Sequence, residues 1–361
     1  MKRLLILLCL FLTACDQNNT HKDAPMNPLT DINTRLAFTC KRQIIPEASA
    51  DTDVLFKYAR WLQKNNLINR DKTVDAEIAR LYRIAAENGH YKASINLQNG
   101  ALRGRFALSS HERLHLSQQL IDAKVAAGYY FIAIYLEHGA AGLAQDPEMA
   151  LRYYRKAADE GNPQAQAYVG EKLFPAKMAP QVAMQMFQCA AEQGEGKAAN
   201  SLGNMLAIYK KYPEAVEVFQ LGVAAGDSTS AGFLMHGFSG PEPTDRLFYL
   251  ALEKDPERAR RYEQIGAVLA KYSWAQPVVP EINDIVPLPL PLPLPLPLPP
   301  APLPEWDGKL KWLEEREANI PPPEPSAALI EKLAKAKQLN PATGRPLPTS
   351  PDFEKDSVAA P

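Results

Sequence analysis

Asp146-Pro147-Glu148-Met149-Ala150-Leu151-Arg152-Tyr153-Tyr154-Arg155-Lys156-Ala157-Ala158-Asp159-Glu160-Gly161 is the stretch on which the fold turns. Asp146 suits the cap of a helix, Pro147 suits its first turn, and Gly161 accepts the left-handed conformation that ends one. Between them the small and apolar residues recur at helical spacing, leaving the charges on the opposite face. Related segments stand on either side: Ala85-Ala86-Glu87-Asn88-Gly89, Lys124-Val125-Ala126-Ala127-Gly128, Ala190-Ala191-Glu192-Gln193-Gly194 and Val223-Ala224-Ala225-Gly226. The five glycines are 39, 33, 33 and 32 residues apart. A period of this size marks an array of helical repeats.

Behind each glycine a second helix is expected, with a small residue at a close contact and an apolar one four positions later. The pairs are Ala93 and Leu97, Ala165 and Val169, Ala198 and Leu202, and Ser230 and Leu234. A two-helix unit cannot bury its apolar face alone, so successive units must stack. The expected class is all-α, an α-solenoid of helical hairpins. The core Ala-x-x-Tyr-Tyr-Arg-Lys-Ala-Ala-x-x-Gly resembles the Sel-one-like repeat family, a relative of tetratricopeptide repeats, over roughly residues 53–238. The likeness is sharp at 146–206 and weaker at 100–140, and 53–65 reads as the second helix of a partial first repeat.

Outward from the repeats, residues 241–285 read as a helical cap, with Ala259, Tyr262, Ile265, Val268, Leu269 and Tyr272 in helical period. Residues 286–305 are a Pro-Leu tract that favours polyproline II, and its 18 residues from 287 to 304 would extend about 55 Å if straight. Its principal reading is a spacer, with a ligand for an aromatic groove as the minority one. The tail 306–361 carries two short helices, around 309–317 and 326–339. The second has Leu329, Ile330, Leu333, Ala336 and either Ala327 or Leu339 on a face that can dock back on the solenoid.

At the other end, Met1-Lys2-Arg3, an apolar run over residues 4–12, and Thr13-Ala14 before Cys15 read as a signal peptide of residues 1–14. Leu12-Thr13-Ala14-Cys15 resembles the lipobox of bacterial lipoproteins, in which the cysteine is acylated. Residues 15–35 then form a lipidated tether before a solenoid at 36–240, and the protein faces the periplasm. Asp16 resembles an inner-membrane retention signal, the outer membrane remaining the alternative. Removal of Lys2 and Arg3 leaves 38 basic against 41 acidic side chains, a balance that gives nucleic acid no hold. Cys40 and Cys189 then remain, free to pair in an oxidising compartment, although sequence alone does not bring them into bonding range.

The chemistry is sparse, and the reading is that of a non-enzyme without cofactor or metal. His111-Glu112-Arg113-Leu114-His115 matches the zinc-peptidase pattern H-E-x-x-H, with Glu137 at a distance open to a third ligand. Counting back from Gly128, however, aligns His111 with Ala144 and His115 with Glu148, so the motif straddles the start of a surface helix. Gly237-Phe238-Ser239-Gly240-Pro241 misses the nucleophile elbow by its proline and by the lack of a preceding strand, and reads as a loop. Tyr82, Tyr154 and Phe187 read as core. Positions nine, six, five and two before each terminal glycine share a face. They give a partly basic shelf for a protein partner: Arg80, Arg83, Ile84 and Glu87; Arg152, Arg155, Lys156 and Asp159; Gln185, Gln188, Cys189 and Glu192. In the repeat family such first helices line the concave side.

Phe38-Thr39-Cys40, Tyr58-Ala59-Arg60-Trp61-Leu62, Ala79-Arg80-Leu81-Tyr82-Arg83-Ile84-Ala85-Ala86, Asn96-Leu97-Gln98 and Pro341-Ala342-Thr343-Gly344 also resemble a group of Gram-negative repeat lipoproteins. Some of that group accompany type VI secretion phospholipase effectors as immunity proteins. The resemblance implies a periplasmic protein that binds a lipase toxin and blocks it. The alternative is a non-catalytic envelope scaffold, adaptor or signalling protein.

Overall fold

The computed structural model describes residues 36–174, 179–288 and 303–351. Cys15, the signal peptide, the tether as far as residue 35 and residues 289–302 of the Pro-Leu tract lie outside them. The described residues from Phe38 on belong to one compact unit. They form fifteen α-helices and no strand. A partial unit, α1 (Ala50–Asn65), is followed by five hairpins. These are α2 (Lys72–Glu87) with α3 (Tyr91–Leu102), α4 (Ser110–Asp122) with α5 (Ala127–His138), and α6 (Pro147–Asp159) with α7 (Pro163–Leu173). Then come α8 (Pro180–Ala191) with α9 (Gly196–Ile208), and α10 (Tyr212–Ala224) with α11 (Ser228–Phe238). Helix α12 (Pro256–Lys271) packs on α11 and ends the row. Beyond it lie α13 (Ile282–Ile285), α14 (Lys311–Ala318) and α15 (Ala327–Ala336).

Each helix begins and ends where the local chemistry directs. The Asp146 carboxylate accepts the Met149 N–H at 2.9 Å, and Pro147 occupies the first turn of α6. The small residues expected of the second helices, Ala93, Ala165, Ala198 and Ser230, are fully buried with their apolar partners Leu97, Val169, Leu202 and Leu234. From α1 to α12 each helix packs chiefly against its neighbours in sequence, as a stacked array requires. Tyr82, Tyr154 and Phe187 lie in the core.

The register of the second hairpin differs from the sequence expectation. The left-handed residue that ends α4 is Lys124, with φ of 60°, not Gly128. Its N–H bonds the Ile121 carbonyl and the Val125 N–H bonds the Leu120 carbonyl, the paired closure of a Schellman motif. Gly128 lies inside α5, where a Cβ would come 2.6 Å from the Ser117 carbonyl oxygen, so it is a glycine of close helix approach. Counted from Lys124, the repeats are 35, 37, 33 and 32 residues apart, from positions 89, 124, 161, 194 and 226. His115 then stands nine residues before its turn, the place held by Arg80 and Arg152, and the H-E-x-x-H stretch falls within the first two turns of α4 instead of straddling its start.

Three segments from outside the repeats lie against the first helices. The N-terminal arm, residues 38–48, joins Cys40 to Cys189 on α8 through a disulfide with a Cα separation of 5.6 Å. It crosses the α6–α7 turn so closely that a Cβ on Gly161 would meet the Arg42 carbonyl carbon at 2.6 Å, and Ile45 packs with Leu120 and Phe131. Buried Gln166 donates to the Lys41 carbonyl at 2.9 Å, and Gln193 accepts from the Gln43 N–H at 2.9 Å. The second segment follows α12 and is held by its carbonyls. Ile285 accepts from Arg261, Val286 from Gln220, both at 2.8 Å, and Pro287 from Arg258. The third is the tail: Ile330, Leu333, Ala334 and Leu339 join the core of α1 and α2. Ala334 takes the buried place on α15 that the pattern gave to Ala336, which is exposed.

The ends of the Pro-Leu tract converge. The Arg261 guanidinium that holds Ile285 also lies over the Trp306 ring, 5.9 Å from its centre.

Candidate protein-binding face

The face formed by α2, α4, α6, α8 and α10 is where the expected shelf residues fall, and the structure does not make one surface of them. On α2, Arg83 is 8% exposed, ion-paired to Glu112 and bonded to the Ala107 carbonyl. Arg80 pairs with Glu77 and donates to the Pro341 carbonyl of the tail at 2.8 Å. Gly344 packs directly on this helix, because a Cβ there would meet the Arg80 carbonyl oxygen at 2.8 Å and the Arg83 Cβ at 2.9 Å. Ile84 is fully buried. The first repeat's share of the shelf is thus covered by the protein's own tail.

On α6 the equivalent side chains stay open, but not as free cations. Arg152 pairs with Glu148 at 2.6 Å, Arg155 with Asp159 at 2.9 Å and Lys156 with Glu160 at 2.9 Å. The Arg152 side chain remains 67% exposed. The arm adds Lys41, Arg42 and Ile44 to this region; Ile44 is 77% exposed, while Lys41 reaches Glu160 and Arg42 reaches Glu192. A shelf attractive to acidic partners was expected from the arginines. Each of those charges instead meets a carboxylate within the chain.

Between α8 and α10 the face opens into a groove of about 610 Å³. Its apolar lining includes Phe38, Met184, Leu202, Leu206, Val218 and Leu221, and its rim carries Gln185, Gln188, Glu192, Glu214, Glu217 and Lys211. Leu221 is an exposed leucine at the position that Ile84 fills in the first repeat. The Glu192 carboxyl is held below the ordinary carboxylate range, first by the hydrogen bond from Gln188 and then by Arg42. Glu214 and Glu217 make no ion pair among the described residues. The lining offers no histidine or serine, and its two cysteines are oxidised to the disulfide.

The histidine motif is occupied by structural contacts. Glu112 holds Arg83, and His115 meets Glu87 at 3.2 Å and Gln119 at 2.8 Å. No group of three or more His, Cys, Asp or Glu placed to hold a metal exists among the described residues. Ser239 caps α11, its hydroxyl donating to the Met235 carbonyl at 2.9 Å. Sequence reasoning passed over the groove's apolar floor and the arm that borders it. The usable signal was Cys189, an odd residue for a helix face unless something is tied to it.

The comparisons agree with this architecture. The profile of the Sel1 repeat matches residues 126–162 and 175–195. A domain of unknown function, DUF6396, matches residues 230–347, from α11 through the docked tail. Among solved structures, Pseudomonas aeruginosa 5086 (PA5086) is 27% identical, over 70% of this chain and 94% of that one, with a TM-score of 0.52. The immunity protein PA5088 from Pseudomonas aeruginosa is 25% identical over 70% of this chain and 94% of its own, with a TM-score of 0.54. The immunity protein Pa5087 of the same organism, at 24% identity, 70% and 95% coverage and a TM-score of 0.53, shares the fold. A search of curated protein sequences returns no significant match. The chain carries Sel1 repeats and folds as a helical solenoid similar to immunity proteins.

Proposed function

We propose that the protein is a periplasm-facing lipoprotein, acylated at Cys15, that binds a lipase-type toxin delivered by type VI secretion and neutralises it by occlusion. The observation that carries this reading is the likeness to an immunity protein over nearly the whole of that protein's length. It is supported by a face that offers an exposed apolar side chain and a groove as contact area. In this reading the interface is the open stretch of the first-helix face. It runs from Arg152 and Lys156, across Ile44 on the arm, to Gln185 and Gln188 at the groove. Arg80 and Arg83 are left out, since the tail covers them.

The test is co-expression of a neighbouring lipase effector, directed to the periplasm, with wild-type protein or with Ile44→Glu/Arg152→Glu. Central interface side chains commonly contribute ~2 kcal/mol or more to binding. Complex formation should therefore fall at least about tenfold, and protection with it, while helical circular dichroism is unchanged. A doubly substituted protein that protects as well as wild type would exclude this face. Cys15→Ser should release the protein from membranes, and mass spectrometry of the mature N-terminus should show an acylated residue 15 in wild type; an unmodified chain beginning elsewhere sinks the anchor.

A further inference from the structure

We infer that the groove between α8 and α10 receives a basic, apolar-anchored segment of the partner protein, so that this part of the interface selects cations and not the acidic surface that the arginine-rich repeats suggest. The inference rests on the protein-binding reading of this face and specifies the chemistry of its occupant.

Three observations lead to it. The floor is apolar and partly uncovered: Met184, Leu202, Leu206 and Val218 line it, and Leu221 is 38% exposed at its margin. At about 610 Å³ the groove falls within the range of protein ligand pockets, ~300–1,000 Å³, and holds several side chains. The rim carries Glu192, Glu214 and Glu217 against Lys211 and the arm's Arg42, which is paired to Glu192, so a small acidic excess is left. Glu214 and Glu217 make no ion pair among the described residues, whereas Arg80 and Arg83 of α2 and Arg152, Arg155 and Lys156 of α6 are all paired. Uncompensated charge on this face is therefore negative at the groove.

The protein's own arm shows the mode of binding. Phe38 contributes its ring to the groove and, four residues on, Arg42 places its guanidinium 2.9 Å from the Glu192 carboxylate. In an extended chain four residues advance about 13 Å. An apolar side chain in the groove lining, with a cation paired to a rim carboxylate four residues on, thus already borders the groove. The part bordered by Glu214, Glu217 and Leu221 offers the same chemistry without an occupant among the described residues. Opposed charge across an interface sets specificity and association rate, and an apolar pocket holds the anchor.

The experiment uses defined probes and needs no toxin. A fluorescein-labelled fourteen-residue amphipathic helix of leucine and lysine, and its leucine–glutamate counterpart, are titrated with the full mature protein and followed by anisotropy. The lysine peptide should bind at least about tenfold more tightly than the glutamate peptide, and its affinity should fall as salt rises. Leu221→Glu should weaken it at least about tenfold, and Glu214→Lys/Glu217→Lys should reverse the preference between peptides, with circular dichroism unchanged in both variants. Equal binding of the two peptides, no binding of either, or a preference for lysine that survives the double reversal overturns the inference. Loss of toxin protection in a protein that retains this peptide selectivity would count against the immunity reading alone.

Discussion

Helices α2 and α6 occupy the same place in their repeats, yet their outward faces have opposite fates. On α2 the residues nine, six and five before the turn are Arg80, Arg83 and Ile84, and the tail lies over them. On α6 they are Arg152, Arg155 and Lys156, and only the arm crosses nearby, over the turn at Gly161. The apolar choice at Ile84 and the cationic one at Lys156 follow from what covers each helix. Repeat position fixes how a residue is presented, and the segments outside the repeats decide whether it meets water. For the partner, this moves the usable surface away from the first repeat and toward the third, fourth and fifth.

The largest expected effect comes from freeing the arm. Its disulfide joins residues 149 apart in sequence, and loss of such a link typically costs 2–5 kcal/mol. Cys40→Ser/Cys189→Ser should therefore lower unfolding stability by about 4 kcal/mol in urea. Amide exchange should rise at Gln43 and around Gly161 while α2 keeps its protection; a uniform loss of protection would mean the two regions are not independently covered.

A sharper contrast sets arginine against arginine. Arg83→Ala breaks a nearly buried pair and leaves Glu112 without its partner, a change worth about 3 kcal/mol. Arg152→Ala, removing an exposed pair, should cost less than about 0.5 kcal/mol. Equal losses in denaturant melts would erase the distinction between the two helices. Somewhat smaller is the effect of loosening the cover itself. Leu333→Ala, deleting a buried contact of α15 with α2, should cost about 2 kcal/mol and expose α1 to α3 to exchange without altering α8 to α11.

The smallest effect is one of pH. His90 caps α3, its Nδ1 accepting the Ala93 N–H at 3.1 Å, and burial holds its pKa below the ordinary 6.5. The unfolded chain takes up this proton first, so the neutral imidazole stabilises the fold above the unfolded pKa, and that contribution is lost as pH falls through and below it. Denaturant midpoints measured from pH 7 down to 5 should drop less steeply for His90→Asn, which keeps a capping side chain, than for wild type. Parallel slopes would refute it.

Much of this fold is legible in the sequence because the signals are local. Asp146, Pro147 and Gly161 each act on backbone within a few residues, and the small residues Ala93, Ala165 and Ala198 report a helix contact repeated at each hairpin. Lys124 was hidden because a left-handed lysine costs about 1 kcal/mol or more, and a nearby glycine drew the register to itself. The amphipathic pattern of residues 329–339 shows a face able to dock, but its seat depends on Arg80, Arg83 and Ile84, some 250 residues away. Partners 125, 150 and 66 residues away hid the role of Gln166, Gln193 and Gln220. Their amides hold segments of the arm and of the stretch after α12, and nothing local distinguishes them from surface glutamines.

Helix α14 touches both ends of the row. The Lys311 N–H bonds the Glu281 carboxylate at 2.9 Å, Trp312 and Arg316 lie against Tyr272 and Trp274, and the Asn319 side chain accepts from Trp61 and Asn65 of α1, each at 3.0 Å. An open solenoid is a spring, since small rotations at each interface add up along its length and let the whole array stretch or coil. Clasped at its ends, this one is a hoop. A rotation at one interface must be cancelled at the others, so the array resists extension as a whole and presents its partner with a frame of fixed span.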